Sequence, residues 1–182
     1  MDQSLQLDPS LLRKYDVRGP RYTSYPTAPQ FASSFDEQAY RALAAERLKA
    51  GPMSLYVHIP FCRAVCFYCG CNKVINANYK RADDYLPRLG REMRLQGELF
   101  GQRQVTQLHF GGGTPTYLNE DDLRRVFDDL HRHFALSDSA AREFSIEIDP
   151  RTVTPEKIAL LGELGFNRMS LGVQDFDQAV QI

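Results

Sequence analysis

Four short apolar runs recur along the chain, and each is a candidate β-strand. The third alternates strictly between apolar and polar side chains, and the four runs span residues 55–59, 105–110, 144–148 and 168–173. The stretches between them carry apolar residues three or four positions apart, which is the spacing of an amphipathic helix. Strands that alternate with helical stretches of about a dozen residues predict parallel βαβ units.

Three helices are predicted between these strands from their capping residues and breakers. The first runs from about Arg81 to Phe100 and contains Pro87, which predicts either a helix start after the proline or a kink there. The second follows Asn119 as its N-cap. The third begins at Thr154 with a proline in the first helical position, and it ends at Leu164 before a glycine.

A segment without helical or strand period precedes these units. Residues 18–27 contain two tyrosines and two arginines among turn-forming residues, and we expect them to form an ordered extended arm. A helix then begins with Ser34 as N-cap and Glu37 as its partner in a capping box, and the next Gly-Pro pair ends it. The chain therefore divides into an N-terminal arm and helix at 1–52 and the four strands at 53–182.

Residues of unusual chemistry follow the ends of the predicted strands. Four cysteines follow the first strand and three glycines the second, while Glu147 and Asp149 end the third and Gln174 follows the fourth. Because ligands bind at the carboxyl ends of parallel strands, we expect one pocket there. Hydrogen bonds to ribose hydroxyls would satisfy Glu147, and Gln174 can contact ribose or adenine in the same way. A solvated position at the strand end suits Asp149 equally well.

The histidines are expected to be structural. His58 and His109 lie within strands, where we expect packed and hydrogen-bonded side chains rather than ligands. His131 and His133 lie at the carboxyl end of a helix, where a cation is favourable.

Composition narrows the class of protein. Lys and Arg total 22 against 23 for Asp and Glu, so the net charge is 22 − 23 = −1, which argues against a polybasic nucleic-acid binder. No apolar run approaches the roughly 18 residues that span a membrane. The polar and acidic first ten residues do not resemble a secretory signal. We therefore expect a cytoplasmic protein with neither nucleic acid nor membrane as a partner.

All four cysteines lie within ten residues, with the spacing Cys62-x3-Cys66-x2-Cys69 and Cys71 two positions further. In a reducing compartment this indicates metal binding or redox chemistry rather than disulfides. A structural zinc site usually pairs two distant C-x2-C elements, and only one short cluster is present. Three thiolates can hold three corners of a [4Fe-4S] cube and leave the fourth iron open to a small molecule. Cys71 is an alternative fourth ligand, although its closeness to Cys69 favours the interpretation that it is not one.

The second strand ends in Gly111-Gly112-Gly113-Thr114-Pro115. A glycine-rich loop can present its backbone to the ammonium or carboxylate of a ligand, and a plain tight turn is the alternative. The loop lacks the Lys-Ser/Thr pair of a phosphate-binding loop.

The cysteine spacing resembles the signature of the radical S-adenosylmethionine (SAM) superfamily, and Phe61, Tyr68 and the glycine-rich loop also fit it. Longer segments resemble the oxygen-independent coproporphyrinogen III oxidases. The related haem chaperones share the cluster loop but lack Cys71 and the Arg-Tyr-Thr-Ser-Tyr-Pro segment, both of which this chain has. The segments that carry the resemblance are residues 19–27, 56–72, 111–118, 145–151 and 171–176.

The resemblance implies an α/β fold, namely the N-terminal part of a partial (βα)6 TIM-like barrel with parallel strands and crossover helices, preceded by an extended N-terminal arm. It also implies one [4Fe-4S] cluster on Cys62, Cys66 and Cys69, and two molecules of SAM. The positions that match SAM contacts in the family are Tyr56, Tyr68, Gly112, Gly113, Thr114, Glu147 and Gln174.

The activity implied by the resemblance is the oxidative decarboxylation of coproporphyrinogen III to protoporphyrinogen IX without oxygen, in haem biosynthesis. A 5′-deoxyadenosyl radical from SAM takes hydrogen from each of two propionates, which become vinyl groups. A reductase or flavodoxin-type protein is the expected electron donor, and the protein is expected to be a monomer. The alternative is a haem-chaperone-like relative that binds haem without decarboxylating. Because four strands and three crossovers make about half of such a barrel, we expect the cluster-bearing N-terminal portion of a larger enzyme, inactive by itself.

Overall fold

The structure, a computed structural model, describes five segments of the chain, namely residues 8–16, 27–47, 51–66, 69–172 and 176–181. The chain divides into two units, Met1–Tyr40 and Arg41–Ile182. None of the helices within the described segments is long and apolar enough to cross a membrane. Several predicted features lie outside the described segments, namely residues 18–26 of the expected arm with Tyr22 and Tyr25, residue 173 of the fourth predicted strand, and the expected SAM contacts Tyr68 and Gln174.

The first unit contains a short helix, α1 (Pro9–Tyr15), that the apolar pattern did not predict. The carboxylate of Asp8 accepts a hydrogen bond from the N–H of Ser10 at 2.8 Å, and a proline occupies the first helical position. Both features are typical of helix N-termini. A single 3-10 turn, Ala28–Gln30, follows in this unit.

The helix predicted to start at Ser34 begins later, as α2 (Glu37–Arg47). Its first turn is capped by Asp36, whose carboxylate accepts a hydrogen bond from the N–H of Ala39 at 2.9 Å. The prediction of Ser34 as N-cap was therefore wrong by two residues. Either side chain can cap a helix, and the charge of Asp36 adds a favourable interaction with the positive end of the helix dipole.

A parallel sheet with flanking helices forms the second unit. The elements of this unit, in chain order, are β1 (Met53–Ile59), β2 (Phe61–Cys62), β3 (Val74–Ile75), α3 (Lys80–Phe100), β4 (Gln104–Gly112), α4 (Glu120–His133), β5 (Ala135–Leu136), β6 (Glu143–Ile148), α5 (Pro155–Glu163), β7 (Arg168–Leu171) and α6 (Gln178–Gln181). The strand order of the main sheet is β1-β4-β6-β7, and every pair is parallel. The four predicted strands and their parallel arrangement are thus confirmed.

The predicted helix ends are also confirmed in this unit. The side chain of Asn119 accepts a hydrogen bond from the N–H of Asp122, and Thr154 caps α5 in the same way. α3 runs without a break through Pro87, so the helix does not start after the proline. The proline lies on the exposed side of α3, while Leu86 and Leu89 beside it are buried in the core.

The two faces of the sheet differ in polarity. The apolar side chains of β1, β4 and β6 are buried in one core with those of α3, α4 and α5. The opposite face is polar, and Tyr56, His109 and Ser145 lie there in register on three neighbouring strands. Burial of one face of a parallel sheet by helices leaves the other face available to line a cavity. This polar face and the strand ends above it contain the described site residues.

Candidate functional site

The cysteine loop leaves β1 and is closed at its base by a short parallel pair. Phe61 and Cys62 of β2 pair with Val74 and Ile75 of β3, and the N–H of Asn76 donates to the carbonyl oxygen of Cys62 at 2.9 Å. Two-residue strands have no period, so the pattern of apolar residues did not predict this pair. The β-branched residues after the loop were its only signal. The pair fixes Cys62 relative to the main sheet.

All four cysteines are free thiols. Cys66 and Cys71 are exposed, whereas Cys62 and Cys69 are partly buried. The hydroxyl of Thr114 donates to the Cys62 sulfur at 3.6 Å, which places the glycine-rich loop beside the first cysteine. Within the described segments, no three His, Cys, Asp or Glu side chains converge as ligands of one metal ion. A cubane distributes its thiolates over separate iron atoms, so its ligands need not converge on one point.

The surroundings of Cys69 favour its thiolate form. The backbone N–H of Cys71 hydrogen-bonds to the Cys69 sulfur and lowers the pKa of that thiol, and the Cys71 thiol and the Lys73 ammonium lower it further. Lys73 Nζ also donates to the carbonyl oxygen of Cys69 at 2.8 Å, which holds the cation close. The same side-chain hydrogen bond, together with burial, raises the pKa of Cys71. Because thiolates are the form that binds metal, the two cysteines are not equivalent donors.

The glycine-rich loop packs tightly against the end of β1. Gly112 has a φ of +110°, and a Cβ atom there would lie 2.7 Å from Cε1 of His58. Both observations require glycine. The N–H groups of Gly113 and Thr114 donate to carbonyl oxygens of β1 and β2, each at 2.8 Å. With these donors engaged, the loop can offer a ligand its carbonyl oxygens, which accept hydrogen bonds from an ammonium group.

A cavity of about 270 Å³ joins the cysteine loop to the end of β6. Cys62, Cys66 and Thr114 line one side, and Asp149 and Arg151 line the other. The guanidinium of Arg151 donates to both carboxylate oxygens of Asp149, at 2.9 and 2.8 Å, and these bonds lower the pKa of that carboxyl. The ion pair satisfies Asp149, so no ligand is needed to explain this carboxylate.

The polar face of the sheet carries the two remaining described candidates, Tyr56 and Glu147. Tyr56 of β1 lines a second cavity of about 540 Å³, and 57% of its surface is exposed. Glu147 of β6 has a side chain that is 44% exposed. Burial raises the pKa of Tyr56, and the nearby Glu147 carboxylate adds to the effect. Both side chains are therefore accessible on the polar face, although Glu147 does not line the cavity that Tyr56 lines.

Two histidines join these groups to each other and to the cysteine loop. His58 Nδ1 lies 3.0 Å from the hydroxyl of Tyr56, and its Nε2 lies 2.9 Å from the carbonyl oxygen of Asn72. His109 Nε2 lies 3.3 Å from a carboxylate oxygen of Glu147. The expectation that both are hydrogen-bonded is confirmed. Strand alternation places them on the polar face, but their partners depend on register and on the loop, which alternation does not reveal.

Known proteins resemble this chain in sequence and in fold. The sequence model of the radical SAM superfamily matches residues 56–181. An oxygen-independent coproporphyrinogen III oxidase of Pseudomonas aeruginosa is 49% identical over 185 residues, which cover 100% of this chain and 40% of the relative. A protein of the same name from Mannheimia haemolytica is 48% identical over 143 residues, which cover 79% of this chain and 96% of the relative.

A solved structure extends the likeness to three dimensions. The coproporphyrinogen III oxidase (HemN) from Escherichia coli, described as a radical SAM enzyme, matches with a TM-score of 0.83 and 45% identity over 94% of this chain and 38% of that one. This match confirms the expected α/β fold of a partial radical SAM barrel. The chain spans about two fifths of the length of the first curated relatives that it matches. It belongs to the radical SAM superfamily and, within it, to the family of oxygen-independent coproporphyrinogen III oxidases.

Proposed function

We propose that this chain is the cluster-bearing part of an enzyme that converts coproporphyrinogen III to protoporphyrinogen IX without oxygen. The proposal rests on the Cys62-x3-Cys66-x2-Cys69 loop of this family member. The β2–β3 pair closes this loop at the end of β1, beside the glycine-rich loop. Superfamily membership implies a [4Fe-4S] cluster and SAM. In this proposal residues 53–182 supply the cluster loop and the first barrel strands, and residues 1–52 supply an arm and a helix.

The residues present fit a [4Fe-4S] cluster. Cys62, Cys66 and Cys69 offer three soft thiolate donors on one loop, the donor type that such clusters use. The backbone N–H and the thiol of Cys71 both hydrogen-bond to the Cys69 sulfur, and the role proposed for Cys71 is that of a hydrogen-bond donor to a ligand. We therefore assign three cysteine ligands and leave one iron for SAM.

The proposed SAM contacts belong to the glycine-rich loop, to β1 and β6, and to two residues outside the described segments. Carbonyl oxygens of Gly112 and Gly113 accept hydrogen bonds from the ammonium of SAM, and the Glu147 carboxylate accepts them from the ribose hydroxyls. The hydroxyl of Thr114 keeps this loop next to Cys62. The proposal includes two SAM molecules for each substrate, one for each propionate. The further contacts proposed are Tyr56, Tyr68 and Gln174.

When bound, a [4Fe-4S] cluster and SAM would supply one-electron radical chemistry, by which a propionate would give up a hydrogen atom, CO2 and, to an electron acceptor, one electron, and so become a vinyl group. The residues of this chain would hold the cluster at the cysteine loop, orient SAM and exclude water from the site. We propose that a reductase or flavodoxin-type protein supplies the electron, and that the enzyme is a cytoplasmic monomer.

The test uses the full-length protein that contains this chain, purified without oxygen and reconstituted with iron and sulfide. We expect about four iron atoms per protein, methionine and 5′-deoxyadenosine from SAM, and CO2 from coproporphyrinogen III. Cys62→Ala should abolish the cluster, whereas Cys71→Ala, the matched control on the same loop, should retain it.

Three results would contradict parts of this proposal. A colourless protein that holds zinc would exclude the cluster. Haem binding with no CO2 release would favour the alternative hypothesis, a haem-chaperone-like protein. Loss of the cluster in Cys71→Ala would show that the assignment of three ligands is wrong.

A further inference from the structure

We infer that His109 is a positioning residue that orients the carboxylate of Glu147 for SAM. The inference rests on the proposed function, because Glu147 is a SAM contact only within it. His109 lies at the centre of the polar face, on β4, between the strands that carry Tyr56 and Glu147.

Contacts from both neighbouring strands hold the imidazole ring of His109. Its Nδ1 lies 2.7 Å from Oγ of Ser145, and its Nε2 lies 3.3 Å from Oε1 of Glu147, both on β6. On the other side its ring stacks on Tyr56 of β1, with centroids 5.7 Å apart and planes 21° apart. A ring held on both sides has one orientation, so it can fix the carboxylate that it touches.

Gly111 makes room for this arrangement. A Cβ atom at Gly111 would lie 3.0 Å from Nε2 of His109 and 3.1 Å from Cε2 of Tyr56. Any larger residue would press on the nitrogen that faces Glu147. The rings of His109 and Tyr56 therefore account for a glycine at the first position of the loop.

Proton positions follow from the partners of the ring. An ionised Glu147 can only accept, so Nε2 of His109 carries the proton and donates to it. Nδ1 lies beside Oγ of Ser145, whose hydroxyl also has the carbonyl oxygen of Leu108 as an acceptor at 3.4 Å, so both ring nitrogens of His109 have a polar partner. Fixing Oε1 of Glu147 in this way presents its second oxygen to a ligand, and two adjacent hydroxyls of a ribose are the donors that a fixed carboxylate matches.

The test measures SAM binding by the full-length protein with its cluster oxidised, because without an added electron SAM is bound but not cleaved. His109→Phe keeps an aromatic ring beside Tyr56 and removes both hydrogen bonds. Its dissociation constant for SAM should rise about tenfold, as is typical when the partner of a ligand-binding group is lost, while iron content stays unchanged. His109→Gln retains a donor near Glu147 and should recover most of the affinity.

Gln107→Leu is the matched control. Gln107 lies on the same face two residues earlier, and it contacts Ser54 and Glu143 rather than Glu147. The Gln107→Leu variant should bind SAM as the wild type does. If it weakens binding as much as His109→Phe does, the effect is a general loosening of the sheet and the inference is wrong.

A double-mutant cycle separates positioning from a general structural effect. In a Glu147→Gln background, His109→Phe should weaken SAM binding no further, because its target is already lost. Additive losses would overturn the inference. If His109→Phe does not fold, His109→Asn, whose shorter side chain reaches Ser145 but not Glu147, should show the same loss. Failure of the wild type to bind SAM would refute the proposed function, whereas equal binding by wild type and variant would refute only this inference.

Discussion

At position 112, backbone conformation and packing both require a glycine. Its positive φ is a conformation that side chains resist, and its missing Cβ leaves space for the ring of His58. Gly112→Ala should therefore lower the free energy of unfolding by about 1–3 kcal/mol, because strain and overpacking add. Urea unfolding of variant and wild type measures this difference.

Gly162 provides the comparison, because it lies inside α5 with nothing within 4 Å of its missing Cβ. Gly162→Ala should stabilise the protein by roughly 0.5–1 kcal/mol, since alanine is the better helix former. Equal effects of the two substitutions would contradict the explanation given for Gly112.

Asp149 makes stability depend on pH. Hydrogen bonds from Arg151 lower the pKa of Asp149 in the folded state, so its stabilising contribution is present above the unfolded-state pKa and is lost as pH falls through the folded-state pKa. Asp149→Asn should cost about 1 kcal/mol or less at neutral pH, because Arg151 is largely exposed. That cost should shrink towards zero in acid, as unfolding measured from neutral to acidic pH will show.

Arg151→Ala tests the cause of this pH dependence from the other partner. It should lose most, but not all, of the pH-dependent part of the stability that Asp149→Asn loses, because the ion pair is removed while the backbone N–H of residue 151 still donates to the Asp149 carboxylate. If Asp149→Asn lowers the free energy of unfolding equally at every pH, the pH dependence does not come from the Asp149–Arg151 ion pair.

At the scale of elements, three aromatic rings join the sheet to its helices. Phe127 of α4 lies 5.6 Å from Phe110 of β4 and 5.0 Å from Phe166, which precedes β7, between ring centroids. Edge-to-face and offset pairs of this kind add to the effect of burial. The cluster holds β4, whose end forms the glycine-rich loop, against the helix layer.

Phe127→Ala should therefore lower the free energy of unfolding by about 3–5 kcal/mol, the usual cost of removing a buried phenylalanine side chain. Phe176→Ala is the matched control, because Phe176 is 89% exposed and should change stability by less than about 0.5 kcal/mol. A small effect of Phe127→Ala in thermal and urea unfolding would show that the helix layer does not depend on this cluster.

The strands and long helices could be predicted because their periods extend over several residues. β6 alternates over its whole length, and Asn119 and Thr154 mark helix starts with capping side chains. The β2–β3 pair could not be predicted, since two residues make no period and the pairing depends on how the cysteine loop closes. The contact between His109 and Glu147 could not be predicted either, because it follows from the register of β4 with β6 and from side-chain conformation.

At the scale of the whole molecule, the sheet formed by the described residues has a polar face and two edge strands, β1 and β7. In the part of the chain that the structure describes, β7 pairs with β6 alone. Met169 and Leu171 of this strand are 51% and 54% exposed. An unpaired edge with apolar side chains is a template for association with another strand. The same edge is where a further strand of a barrel would pair.

A polypeptide of these 182 residues alone should consequently self-associate as its concentration rises, through β7. Leu171→Lys should reduce this association, because a charge on an edge strand opposes pairing with another strand. Leu12→Lys alters a leucine of similar exposure on α1 and should leave association unchanged. Sedimentation velocity over a range of micromolar concentrations measures both variants. Association that persists in Leu171→Lys, or that Leu12→Lys reduces equally, would mean that the contact lies elsewhere on the molecule.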